Sequence, residues 1–138
     1  MSDKFSKSIR SKIMSHIRKT DTKPELRVRR FLHAHRFRFR VYDRRLPGCP
    51  DIVLRKHRAV VFVHGCFWHQ HENCKLAKVP KSNRSYWKPK LRRNRERDRK
   101  NLAILRKDGW RVFVVWECQS DRFPTLIALV DKLGKRQI

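Results

Sequence analysis

The short segment Val63-His64-Gly65-Cys66-Phe67-Trp68-His69-Gln70-His71-Glu72-Asn73-Cys74 gathers thiols, imidazoles and two large aromatics in a mixture that no packed core requires. Cys66, His71 and Cys74 have the spacing of three zinc ligands awaiting a distant fourth. Cys118 is the candidate, because it follows the apolar run Val112-Phe113-Val114-Val115-Trp116 and the end of a strand could deliver it. Cys49, inside the turn Pro47-Gly48-Cys49-Pro50, suits the role less well. Four ordinary buried thiols are the competing account, since free cysteine is a common core residue. Two cysteines flanking a histidine this closely favour zinc. His69 would point away from such a site and His64 precedes Gly65, which leaves both available for proton transfer.

The charge balance suggests what that chemistry would act on. The 138 residues carry 37 Lys+Arg against 12 Asp+Glu, a formal charge of +25, and a compact state under that self-repulsion is best explained by a polyanionic partner, nucleic acid first. Apolar runs such as Ala59-Val60-Val61-Phe62-Val63 have strand length and are far too short to span a bilayer. The stretch Met1-Ser2-Asp3-Lys4-Phe5-Ser6 has no apolar secretion segment, so the expected compartment is the reducing cytoplasm, where disulfides are disfavoured.

The acids allow two readings each. Asp51, after Pro50, would ordinarily be a turn former; beside imidazoles in a basic cleft, a carboxylate also binds a divalent ion that activates water. Asp98 could pair with Arg95 or Asn101 one helical turn away, or hold a catalytic histidine in one tautomer. Phe67, Trp68 and Trp87 are of types that usually pack a core. In a loop tied down by a metal, Phe67 and Trp68 could instead wedge between base pairs, and Trp87, at a helix start, could join them.

Positioning these groups falls to elements in the order α, α, β, β, β, loop, α, β, α, within a single domain spanning 1–138. Ile9, Ile13 and Ile17 share a face of an amphipathic helix within residues 6–19. Thr22-Lys23-Pro24-Glu25 predicts a helix start with a capping box, giving Glu25 a structural use. Phe37-Arg38-Phe39-Arg40-Val41 alternates as a half-buried strand. Strands from Pro50 to Leu54 and from Ala59 to Val63 form a hairpin that brings Asp51 and His64 to one end. A long charged helix opens at Tyr86-Trp87-Lys88-Pro89 and ends by Gly109; as a crossover between strands near 62 and 113, it favours a mixed α/β sheet. Phe123-Pro124 starts the last helix.

Pro50-Asp51, the block His64-Gly65-Cys66-Phe67-Trp68-His69, Lys78-Val79-Pro80, Glu96-Arg97-Asp98-Arg99 and Gly109-Trp110-Arg111-Val112, all in order, resemble the very short patch repair endonucleases. The likeness runs from Arg10-Ser11-Lys12 to Trp116-Glu117-Cys118. It implies a restriction-endonuclease-like α/β core of the PD-D/E-x-K kind, a mixed sheet flanked by helices, with a structural zinc site. It also implies a DNA endonuclease that nicks 5′ to the T of a T·G mismatch left by deamination of 5-methylcytosine. Asp51 and the Val63 carbonyl would hold magnesium. His64 would contact the phosphate region, and His69, oriented by Asp98, would be the general base. Glu25 matches a further active-site acid. Zinc would be held by Cys66, His71, Cys74 and Cys118. Phe67, Trp68 and Trp87 would form a wedge from the major groove, and the DNA-contacting segment 1–20, with Met14, would press from the minor groove.

The partners so implied are mismatched double-stranded DNA and, functionally, a cytosine-5 methyltransferase and other repair proteins, for a monomer acting at the bacterial nucleoid. The chain departs from the family pattern in having Val63 where Thr is usual, two residues between His71 and Cys74, and Cys49 beside Pro50-Asp51. A metal that needs only a backbone carbonyl tolerates the first. Two rivals stand beside this reading: a non-catalytic zinc-stabilised nucleic-acid-binding module, and a related nuclease with a different mismatch specificity.

Overall fold

The computed structural model describes residues 21–135, so the expected helix within residues 6–19, the segment 1–20 and Met14 lie outside the described residues. Four strands form one mixed sheet in the order β1-β2-β3-β4: β1 Arg40–Val41, β2 Ile52–Leu54, β3 Ala59–His64 and β4 Arg111–Trp116. β2 and β3 form the expected antiparallel hairpin, with Ile52 opposite Val61. β4 lies parallel to β3, with His64 opposite Trp116. That parallel pair requires a crossover, supplied by α2, Arg84–Lys107.

The other helices, α1 Lys23–Ala34 and α3 Phe123–Gly134, start close to where their prolines predict. Val28 and Leu32 of α1 pack with Leu126, Leu129 and Leu133 of α3 on one sheet face, against Ile52, Ala59, Val61 and Val63. Leu105 of α2 covers the opposite face, against Val53, Val60 and Phe62. β3 is therefore buried on both sides, which is why it reads as a continuous apolar run rather than an alternating one. Among the described residues, no helix is long and apolar enough to cross a membrane.

Two boundaries differ from expectation. The strand predicted from Phe37 is reduced to Arg40–Val41, both exposed. The cause is the end of α1: Arg36 takes φ +64°, and Phe37 N–H bonds Leu32 O at 3.0 Å while Arg36 N–H bonds His33 O at 3.0 Å. This double-bonded C-terminal motif commits Phe37's donor to the helix. Phe37 and Phe39 still pack on the core. The helix predicted to open at Tyr86 begins at Arg84 instead, because Asn83, at φ +60°, offers its carbonyl to the N–H groups of both Tyr86 and Trp87.

Candidate active site and metal centre

The hairpin sets Asp51 against the last turn of β3, where Val63 N–H donates to Asp51 Oδ2 at 2.6 Å. Burial pushes the Asp51 carboxyl up to about 6, against the opposing effect of that N–H. A cation would relieve this cost. Asp51, Glu25 and Val63 line one cleft of about 1240 Å³. Carboxylate and carbonyl oxygens are the hard donors that magnesium takes while keeping several waters, so the residues present fit that ion.

In the same cleft, His64 and His69 stack face to face, with centroids 3.9 Å apart and planes inclined by 7°. Burial, and then His69, hold the His64 imidazole down at about 4, so it is neutral at pH 7. His69 Nδ1 lies 2.5 Å from Asp98 Oδ2 of α2. The Asp98 carboxylate thus reaches across to the loop after β3 instead of serving only its own helix. With Nδ1 committed, His69 keeps Nε2 for a proton from the cleft.

The four residues Cys66, His71, Cys74 and Cys118 place one ligand atom each within 4.8 Å of one another. His71 Nδ1 lies 3.7 Å from Cys66 Sγ and 3.5 Å from Cys118 Sγ. A tetrahedral zinc with ordinary Zn–S and Zn–N bonds separates S from N by roughly 3.5 Å, so these two separations and the three-thiol, one-imidazole donor set fit zinc. Burial pushes the Cys66 thiol up to about 12, so the thiolate form needs a cation beside it. Cys49 stands apart from this cluster, lining the cleft near Asp51.

Phe67, Trp68 and Trp87 form one edge-to-face cluster, with centroid separations of 5.2, 5.3 and 5.8 Å. None of the three is fully buried. The loop carrying Phe67 and Trp68 is held by polar side chains reaching its backbone. Gln70 Nε2 donates to Phe67 O at 2.7 Å and Ala77 O at 3.1 Å. Asn94 Nδ2 donates to Trp68 O at 3.3 Å. Cys66 N–H bonds Glu117 Oε1 at 3.2 Å; none of these three side chains belongs to a motif that marks the contact.

Trp116, the last residue of β4, touches both centres. Its indole stacks on His71 at 4.2 Å and 9°, and meets His64 edge-on at 5.2 Å.

Glu25 corrects the capping-box expectation in part. Thr22 Oγ1 caps Glu25 N–H at 3.4 Å as anticipated, but the Glu25 carboxylate returns to Asp21 N–H at 2.9 Å rather than to that of Thr22. Only 3% exposed, it also receives Arg29 Nη2 at 3.2 Å and the Tyr42 hydroxyl. Neither Arg29 nor Tyr42 belongs to a sequence motif that marks it as a partner of Glu25.

A family model described as DNA mismatch endonuclease Vsr matches residues 2–76. The chain is 47% identical over 128 residues to the type II nicking enzyme V.XorIIP of Xanthomonas oryzae pv. oryzae, covering 93% of each protein. It is 50% identical over 119 residues to the type II nicking enzyme V.NmeAIP of Neisseria meningitidis serogroup A, covering 86% of this chain and 84% of that one. Identity is 46% over 118 residues to the DNA mismatch endonuclease Vsr of Escherichia coli, covering 86% of this chain and 75% of the relative.

Proposed function

The chain belongs to the DNA mismatch endonuclease Vsr family, and from that premise we propose that this DNA endonuclease is magnesium-dependent, nicks 5′ to the T of a T·G mismatch arising from 5-methylcytosine deamination, and so starts very short patch repair. The observation that carries the reading is the convergence of Asp51, His64 and the His69–Asp98 pair on one cleft. The sheet and its flanking helices are then a restriction-endonuclease-like core of the PD-D/E-x-K kind, in a single domain acting as a monomer on bacterial nucleoid DNA.

Asp51 and the Val63 carbonyl would hold the magnesium, with Glu25 as a further active-site acid facing it; the ion supplies charge neutralisation at the scissile phosphate and lowers the cost of ionising water. His69 takes the proton of the attacking water on Nε2, while Asp98 fixes its tautomer and stabilises the imidazolium that forms. His64, neutral and stacked on His69, keeps that ring in plane and faces the phosphate. Cys66, His71, Cys74 and Cys118 would hold a structural zinc that ties down the loop of Phe67 and Trp68.

Those rings, with Trp87, wedge into the duplex beside the mismatch. A wobble pair is weakly stacked, and unstacking costs about a few kcal/mol per step, least at such a pair, so wedging favours mismatched over matched DNA. Membership of an endonuclease family removes the rival of a non-catalytic binding module. The nicking-enzyme relatives keep a different mismatch or sequence context as the second reading.

The test is strand nicking of a labelled T·G heteroduplex with magnesium, beside the T·A duplex, the other mismatches and Asp51→Ala. We expect nicking of T·G alone and none by the variant. Equal cutting of T·A, or full activity without Asp51, overturns the proposal. Preference for another mismatch establishes the second reading.

A further inference from the structure

We infer that Tyr42, together with Arg29, is a positioning residue for the divalent-cation site: the pair clamps one carboxylate oxygen of Glu25 and leaves the other for the ion held by Asp51. This rests on the reading of Asp51 and Glu25 as the cation's acids.

The distribution of hydrogen bonds on Glu25 is one-sided. Asp21 N–H, Arg29 Nη2 and the Tyr42 hydroxyl all donate to Oε2. The same phenol oxygen also accepts from Arg29 Nη2 at 2.5 Å and from Asp21 N–H. Arg29 in turn pairs with Asp21 Oδ1 at 2.7 Å and lies over the Tyr42 ring, 5.0 Å from its centre. A carboxylate with one oxygen so fully engaged cannot rotate, so the position of Oε1 is set by these three donors. Both acids line the same cleft.

Tyr42 is placed to set the distance between the two acids. Its backbone N–H reaches Asp51 O at 3.4 Å while its side chain reaches Glu25. It makes both contacts from the position just after β1, with φ at +52°. A bulky residue with positive φ is a conformational outlier, retained only where surrounding contacts over-determine it. The guanidinium also carries a cost here, because Arg29 Nε is buried with no hydrogen-bond partner among the described residues. Capping of α1 does not require either expense, since Thr22 already supplies the cap.

The experiment counts free Mn2+ by electron paramagnetic resonance during titration of the whole zinc-loaded protein without DNA. It compares wild type, Tyr42→Phe, Arg29→Met, Glu25→Gln and Asp51→Asn, with thermal unfolding measured in parallel. Removing one hydrogen bond to a charged group should weaken Mn2+ binding by about tenfold in Tyr42→Phe, with a larger loss in Glu25→Gln. The Tyr42 and Arg29 variants should show similar losses. Unchanged Mn2+ affinity in Glu25→Gln or Asp51→Asn overturns the underlying reading of the acids. Weakened binding in those two with wild-type affinity in Tyr42→Phe and Arg29→Met overturns the clamp alone. A loss in Tyr42→Phe that vanishes when binding is compared at equal fractions folded overturns it too.

Discussion

Asp98→Asn isolates the pair on which the proposed proton transfer depends. The substitution keeps the volume and removes the charge that faces His69 Nδ1 across 2.5 Å. A hydrogen bond to a charged partner is worth about 1.5–3 kcal/mol, or roughly one to two decades of rate at about 1.4 kcal/mol per decade. Exposure moderates the upper end: the side chains of His69 and Asp98 are 29% and 23% exposed, so water replaces part of what is lost. The expected loss is therefore about 10- to 100-fold in the chemical step, below the roughly 10⁴-fold seen where a buried Asp of a triad becomes Asn. The assay is single-turnover nicking of the T·G heteroduplex with enzyme in excess, and duplex binding is measured separately with Ca2+ in place of Mg2+. Binding should stay within about twofold, because only the transition state uses the pair. Nicking within about threefold of wild type refutes the reasoning, and so does a binding defect as large as the rate defect.

Cys118→Ser should lose the zinc bound at purification and, with several kcal/mol of metal-linked stability gone, melt at least about 10 °C lower; full zinc content by atomic emission, or an unchanged Tm, counts against the site. Burial, and after it the hydrogen bond to Glu25, push the Tyr42 phenol up to about 12. Its folded value lies above the ordinary one, so its stabilisation is intact below about pH 10 and lost as pH rises through about 12. Phenolate difference absorbance between wild type and Tyr42→Phe should show Tyr42 still protonated near about pH 11, and a midpoint at the ordinary value would count against that account. Arg111 donates to Lys132 O, Lys135 O and Leu133 O at the end of α3, at 2.8, 3.0 and 3.1 Å, and to His57 O at 2.9 Å. Arg111→Met should cost about 1–3 kcal/mol, read as a shifted denaturant midpoint with the same slope; no shift contradicts it.

What was legible in the sequence was local or periodic. Ligand spacing in Cys66-x4-His71-x2-Cys74 is a local property, and the position of Cys118 followed from the apolar strand before it. The convergence of Asp51 and His64 followed from a hairpin whose two runs were plain. The late start of β1 was not legible, because it depends on Arg36 taking a positive φ where glycine would have advertised the motif. Asn83 hides the true start of α2 in the same way. The choice between the two readings of Asp98 needed tertiary geometry, since Arg95 and Asn101 lie at ordinary helical spacing. The Tyr42–Arg29–Glu25 network and the carbonyl contacts of Gln70 and Asn94 exist only once loops close, and side chain to backbone bonds of that kind carry no residue-type pattern.

The position of Cys118 beyond β4 imposes an order on assembly. Three ligands of the proposed zinc site sit in one loop and can gather an ion as soon as that loop forms. The fourth comes only after α2 has formed and β4 has docked in parallel on β3, a non-local pairing of the kind that sets slow folding rates. The same docking brings Trp116 against His71 and His64. Closing the coordination sphere and setting Trp116 against His71 and His64 thus depend on one and the same strand pairing. A nascent chain with so large a positive charge can adhere to DNA early, but it acquires the means to cut only when its last strand is home.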